Sequence, residues 1–246
     1  MKALLLAAGE GLRLRPLTND RPKAMVEVGG VPAVAHELAW LCREGVTEVA
    51  INLSHKPEVL MDFVGDGKRF GVAVRYSIES GILGTAGALG PLREFFTGSG
   101  VFLVLYGDVL TDLAMGPMLR LHQERSADLT MAVTRSTDPT SSGIVGFDAN
   151  GRVERFVEKP KPGEVFSEWE NAAVYLCSER VLDYVGRRVP LDFGHDVVPS
   201  MLQDGLKMCA YRSNATFCDI GSPDRLTRAE TWLKGRNALG AKGLTS

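Results

Sequence analysis

The sequence predicts an α/β fold: one domain built on a mostly parallel sheet with helices packed on both faces. Three observations carry that expectation. Two unbroken apolar runs, Ala3–Ala8 and Val101–Leu105, have the character of strands buried on both sides, as parallel sheets require. Strand and helix patterns alternate over the first half, which implies right-handed crossovers. The 246 residues suit one large domain, and no Pro-, Gly- or Ser-rich linker, internal repeat or low-complexity block divides them.

The elements follow in order. The first strand ends at Gly9-Glu10-Gly11, and Pro16 and Pro22 keep the following segment from becoming helix. Pro32 to Glu44 carries Val34, Leu38 and Leu41 at helical spacing, with Pro32 suited to a first turn and Gly45 to a stop. Val49, Ile51 and Leu53 alternate as in a strand, Pro57 to Val64 reads as a short helix, and Gly65-Asp66-Gly67 reads as a turn. A strand at 72–76 comes next, then an apolar helix through Leu89, Leu92 and Phe95 with Thr85 as its cap. After Val101–Leu105 the chain turns at Gly107-Asp108. Helical spacing over 115–125 precedes strands at 128–134 and 144–147. The Asn150-Gly151 turn joins the second of these to a strand at 152–157. A strand at 172–177, helices near 179–185 and 196–203, and a strand at 206–211 complete the second half. Phe217 to Gly221 ends in a turn, and Ser222-Pro223 opens a last helix that turns Leu226, Ala229 and Leu233 inward.

Composition excludes several classes. A net charge of −2 gives no electrostatic footprint for nucleic acid or an anionic membrane. No run approaches membrane-spanning length, and the chain enters its first strand without a charged-then-apolar leader. Cys42, Cys177, Cys209 and Cys218 form no C-x-x-C pair, so reduced thiols in a cytoplasmic protein are expected. The four histidines show no metal-ligand spacing, and no G-x-S-x-G elbow is present.

Ligands of open α/β sheets sit beyond the carboxyl ends of the strands, so the Gly9 loop and Gly107-Asp108 should meet in one crevice. Glycine amides followed by Arg13 and Lys23 suit a polyphosphate, which oriented N–H groups and cations hold together. The dinucleotide fingerprint fails, with Leu14 and Pro16 where a third glycine and a helix belong, and no Gly-Lys-Ser/Thr phosphate loop occurs. Asp108 and Asp219 could share a hard divalent cation. Each group also has a plain structural reading. Asp108 could open a turn, Asp219 could satisfy backbone donors near the last helix, and Lys159 could be a solvated charge beside Lys161.

Leu-Ala-Ala-Gly-Glu-Gly-Leu-Arg-Leu-Arg-Pro-Leu-Thr followed by Arg-Pro-Lys-Ala-Met resembles the N-terminal signature of the sugar-1-phosphate nucleotidyltransferases. Leu83-Gly84-Thr85-Ala86-Gly87, Gly107-Asp108, Glu158-Lys159-Pro160, Asn171-Ala172 and Asp219-Ile220-Gly221 resemble further family motifs in the same order, over nearly the whole chain. The resemblance implies a Rossmann-like nucleotide-diphospho-sugar transferase fold over 1–234. A nucleotide-binding half would span about 1–112, a sugar-binding half about 113–234, and a flexible tail 235–246. It implies nucleotide binding by Leu6, Ala8, Gly9, Gly11, Arg13, Lys23, Gly84, Thr85 and Asp108. Sugar phosphate would fall to Gly107, Gly143, Glu158, Lys159 and Asn171, catalysis to Arg13, Lys23, Asp108 and Lys159, and Mg²⁺ (or Mn²⁺) to Asp108 and Asp219.

Substrates would be a nucleoside triphosphate and a sugar 1-phosphate. Pro-Lys-Ala-Met and Leu-Gly-Thr-Ala-Gly-Ala-Leu look most like the guanylyltransferases acting on mannose or heptose 1-phosphates, and a cyclitol phosphate fits equally. A uridylyltransferase for amino sugars and a catalytically silent nucleotide-sugar binder stay open. A homodimer is the default expectation. With nothing long after the last helix, nucleotidyl transfer alone is expected, without the β-helix acyltransferase region of some relatives.

Overall fold

The computed structural model describes the backbone of residues 1–186 and 189–242, with side chains through Arg236. Its centre is a nine-stranded sheet. The described residues form thirteen strands: β1 (Lys2–Leu6), β2 (Glu27–Val28), β3 (Val31–Pro32), β4 (Glu48–Leu53), β5 (Ala73–Ile78), β6 (Val101–Tyr106), β7 (Val109–Thr111), β8 (Leu129–Arg135), β9 (Gly143–Phe147), β10 (Val153–Glu158), β11 (Trp169–Ser178), β12 (Met208–Arg212) and β13 (Phe217–Asp219). The first-half strands run β5-β4-β1-β6, all parallel, as the alternating pattern requires. β11 pairs antiparallel with β6 and carries the second half into the same sheet, with β8 and β12 on one side and β9 and β10 on the other.

The α-helices among the described residues are α1 (Ala33–Arg43), α2 (Pro57–Val64), α3 (Arg93–Phe96), α4 (Met115–Glu124), α5 (Val198–Gln203) and α6 (Pro223–Lys242). They cover both faces. On one, Leu38, Leu41, Leu60 and Met118 of α1, α2 and α4 pack with Leu5, Ile51 and Leu103. On the other, Phe96 and Met201 of α3 and α5 pack with Leu4, Phe102 and Tyr175. Inward side chains therefore come from both faces of β1 and β6, which is why those strands read as unbroken apolar runs. A smaller cluster of Val28, Ala33, Leu110, Ile220 and Ala229 seats α6, with Leu226 and Leu233 against it.

Three expectations shift. The segment after Thr85 is not one capped helix but a 3₁₀ turn at Gly87–Leu89 and the short α3. Thr85 caps neither; its hydroxyl donates to Asp192 (2.7 Å) and accepts from the Phe193 amide (2.9 Å). The segment near 179–185 is a 3₁₀ helix, Glu179–Tyr184. The last helix continues past Gly235 to Lys242, so regular structure does not end at residue 234. Residues 243–246 of the expected tail lie outside the described residues. No described helix is long and apolar enough to cross a membrane.

Candidate active site

The carboxyl ends of β1 and β6 come together because Gly107 has no side chain. Its amide donates to the Leu6 carbonyl (2.8 Å), and a Cβ there would lie 2.6 Å from that oxygen. The strand ends open into a crevice of about 480 Å³. Leu6, Ala8, Gly9, Gly11, Arg13, Lys23, Gly84, Thr85, Gly107 and Asp108 all line it, so the expected meeting of the Gly9 loop and Gly107-Asp108 is present.

The charged groups gather at one end. Lys23, which is largely buried, donates to Asp108 Oδ2. β7 pairs antiparallel with β13, opposing Val109 to Asp219, and the Ile220 amide donates to the Asp108 carbonyl (2.9 Å). That pairing sets the backbone of Asp219 beside that of Asp108. Gly221 marks the junction: a side chain there would begin 2.7 Å from Asp219 Oδ1, 2.9 Å from Lys23 Nζ and 3.0 Å from an Arg13 guanidinium nitrogen. Asp219, Lys23 and Arg13 thus surround one backbone position, and Asp108 joins them through Lys23. Asp219 Oδ1 accepts from the Gly221 amide, and Asp219 Oδ2 accepts from Arg225 at 2.7 Å.

Gly143, Glu158 and Asn171 lie in a second group that meets the crevice at Tyr106. Gly143, at the start of β9, packs against the Phe156 ring and the Glu158 carboxylate, leaving no room for a side chain. Burial pushes the Glu158 carboxyl up, while Lys159, 3.9 Å away, pulls it down. Asn171 donates to the Tyr175 hydroxyl, and its Oδ1 accepts from the Ala173 amide (3.1 Å). That bond holds a left-handed turn at Ala173 (φ 59°), where β11 shifts register between Asn171 and Tyr175. The Tyr106 and Tyr175 rings lie 6.0 Å apart, and burial pushes the Tyr106 phenol up, with Asp192 and Glu158 adding to the shift. Lys159 lies outside the crevice lining. Its backbone is left-handed (φ 46°), its amide donates to Ser142 O (3.2 Å) and its side chain is 61% exposed.

Several groups escaped the sequence reading. Asn52 and Glu79 line the crevice, both buried. Asn52 accepts from the Ala7 amide (2.9 Å) and donates to Glu79 Oε1 (2.8 Å), and Glu79 Oε2 accepts from the Leu83 amide (3.0 Å). Arg225 was missed as the partner of Asp219. Their only sequence signal is position, at the end of a strand or in the first turn of a helix. Among the described residues no group of three or more His, Cys, Asp or Glu side chains could by itself hold a metal ion.

Comparison with known proteins agrees with this geometry. The family described as nucleotidyl transferase matches residues 2–234. A UTP–glucose-1-phosphate uridylyltransferase of Synechocystis is 35% identical over 238 residues, covering 91% of this chain and 61% of that protein. Mannose-1-phosphate guanyltransferase beta-B of Xenopus laevis is 37% identical over 227 residues, covering 91% and 62%. The chain thus spans about three fifths of the length of these relatives. The crystal structure of HddC from Yersinia pseudotuberculosis superposes with a TM-score of 0.79 at 24% identity, covering 94% of this chain and 99% of that one, and so shares the fold. Motif order, strand topology and the matched span together place the chain in the nucleotidyl transferase family.

Proposed function

We propose that the protein joins a nucleoside triphosphate to a sugar 1-phosphate. A sugar phosphate oxygen forms a bond to the α-phosphorus as the bond from that phosphorus to the β-phosphate bridging oxygen breaks, releasing pyrophosphate and leaving a nucleotide-diphosphate sugar. The observation that carries this reading is the convergence of Arg13, Lys23 and Asp219 within 3.0 Å of one point at Gly221, with Lys23 also bound to Asp108.

The chemistry needs little proton transfer. A phosphate monoester has a second pKa near 6, so the nucleophile is mostly ionised at neutral pH. The obstacle is repulsion: two unit charges about 4 Å apart cost roughly 4 kcal/mol at an effective dielectric of about 20. Fixed cations that neutralise the phosphates and align the attack answer that need. Arg13 stabilises the departing pyrophosphate, Lys23 binds the triphosphate, and Lys159 positions the attacking phosphate. Asp108 and Asp219 fit Mg²⁺, which takes one or two carboxylates and completes its shell with substrate phosphates and water rather than a protein cage. Bound there, it would supply charge neutralisation at the α-phosphate.

Guanine is the favoured base, and Glu79 supports it. A carboxylate in the crevice can accept from the two neighbouring N–H groups of a guanine edge. Uracil and thymine offer one N–H flanked by carbonyl oxygens, which the carboxylate would repel. Mannose or heptose 1-phosphate, or a cyclitol phosphate of similar shape, is the proposed acceptor.

Pyrophosphate release across a panel of triphosphates and sugar phosphates tests the reading. Turnover with GTP above UTP and dTTP is expected, and Asp108→Asn should abolish it while the protein still melts cooperatively. No release with any pair would leave a silent nucleotide-sugar binder, and undiminished turnover in Asp108→Asn would remove that carboxylate from the reaction.

A further inference from the structure

Arg225 lies in the first turn of α6, six residues after Asp219, and belongs to none of the motifs that identify the family. One guanidinium nitrogen donates to Asp219 Oδ2 at 2.7 Å, and the other reaches the Ser141 hydroxyl at 3.3 Å. Ser141 belongs to the serine- and threonine-rich segment 136–142 joining β8 to β9. The next residue, Ser142, accepts the Lys159 amide through its carbonyl (3.2 Å), and Gly143 begins β9. Arg225 therefore ties the carboxylate end of the crevice to the segment that carries the sugar-side residues.

An arginine has five N–H donors in a fixed fork, and two contacts leave donors unused. The side chain is 27% exposed. A phosphate arriving beside Lys159 can use those donors, because arginine binds phosphate bidentately and orients it, whereas lysine acts as a point charge. Besides its partner Asp219, Arg225 acts on two further carboxylates: its charge lowers Asp138 and Glu170, and Glu170, pushed up chiefly by burial, accepts from Ser136 (2.7 Å).

We propose that Arg225 is a further binding residue for the sugar 1-phosphate, keeping Asp219 on one edge of its guanidinium and taking the attacking phosphate on the other. This rests on the proposed function. It extends that function by assigning the orientation of the nucleophile to an arginine on α6, alongside the lysine on the β10 side.

Steady-state kinetics of Arg225→Ala and Arg225→Lys test it. In Arg225→Ala the KM for the sugar 1-phosphate should rise about tenfold or more while the KM for the triphosphate changes less than about threefold. Arg225→Lys, which keeps the charge and loses the fork, should fall between wild type and Arg225→Ala in the same constant. It also serves should Arg225→Ala fail to melt cooperatively. Equal rises in both KM values, or a change in kcat alone, would mean that Arg225 acts only through Asp219 and would overturn the assignment. So would unchanged constants. A wild-type protein that releases no pyrophosphate with any pair removes the underlying reading and this inference with it. Normal wild-type turnover with an unaltered variant removes the inference alone.

Discussion

Glu37 shows what a single residue costs when its surroundings do not answer it. It sits on α1 at 2% exposure, and neither carboxylate oxygen has a hydrogen-bond partner. Burial pushes its carboxyl well above the usual range; the Asp108 charge adds to this, and Lys23 opposes it. The unfolded chain releases this proton near pH 4.3, while the folded chain keeps it. The folded state then binds more protons than the unfolded state, so this group lowers stability progressively as pH rises above about 4.3. Glu37→Gln should therefore match wild type near pH 4 and exceed it at pH 8 by about 1 kcal/mol or more. Melting temperatures across pH 4–8 measure this, at roughly 2–4 °C per kcal/mol for a chain of this size. A difference that does not grow with pH would contradict it. Glu37 was invisible in the sequence, where a glutamate inside an amphipathic helix reads as solvent-facing. Arg13, Lys23 and Asp108 were legible because each follows a strand, a glycine or a proline that fixes its place. Arg225 and Glu79 depend on register across the sheet, which local spacing does not encode.

At the scale of elements, the helices of the first half follow the sequence closely, and α2 begins and ends where the pattern places it. The segment after β5 does not, because a distant contact shapes it. The Leu191 carbonyl accepts from the Ala86 and Gly87 amides (both 3.0 Å), and the Leu191 amide donates to Leu83 O (2.8 Å). These bonds tie the first amides after Thr85 to the 191 segment, where a side-chain cap was expected. They also require Gly84, whose φ is +85°; a Cβ there would meet the Leu191 backbone nitrogen at 2.7 Å and carbonyl carbon at 2.8 Å. Gly84→Ala combines left-handed strain of about 1–2 kcal/mol with a clash against backbone that cannot rotate away. It should lower the melting temperature by several degrees and weaken triphosphate binding, because the segment lines the crevice. Calorimetric melting and a nucleotide titration give the two readouts. An unchanged melting temperature would mean that the 191 segment yields without cost.

At the scale of the molecule, the parallel half was legible and the joining of the two halves was not. Apolar runs and alternation fix β5-β4-β1-β6, but nothing in local spacing says that β11 will lie beside β6. That pairing runs from Val174–Leu105 to Ser178–Val101, and Val181, Phe193 and Met201 from the second half complete the core over Phe102 and Val104. The backbones of Asp108 and Asp219 are set side by side the same way, through β7 and β13 from opposite halves. The two halves are thus one folding unit and the site is a product of their union. A fragment of residues 1–112 would leave β6 as an exposed apolar edge of the kind that pairs with other chains. Its core would also lack the side chains that cover one face. Expressed alone, it should aggregate or lack a cooperative melt, whereas the whole chain should unfold in one transition. Size-exclusion chromatography and thermal melting distinguish these outcomes. A monomeric 1–112 with a sharp transition would show that the nucleotide side folds by itself, and the crevice would then form before its second carboxylate arrives.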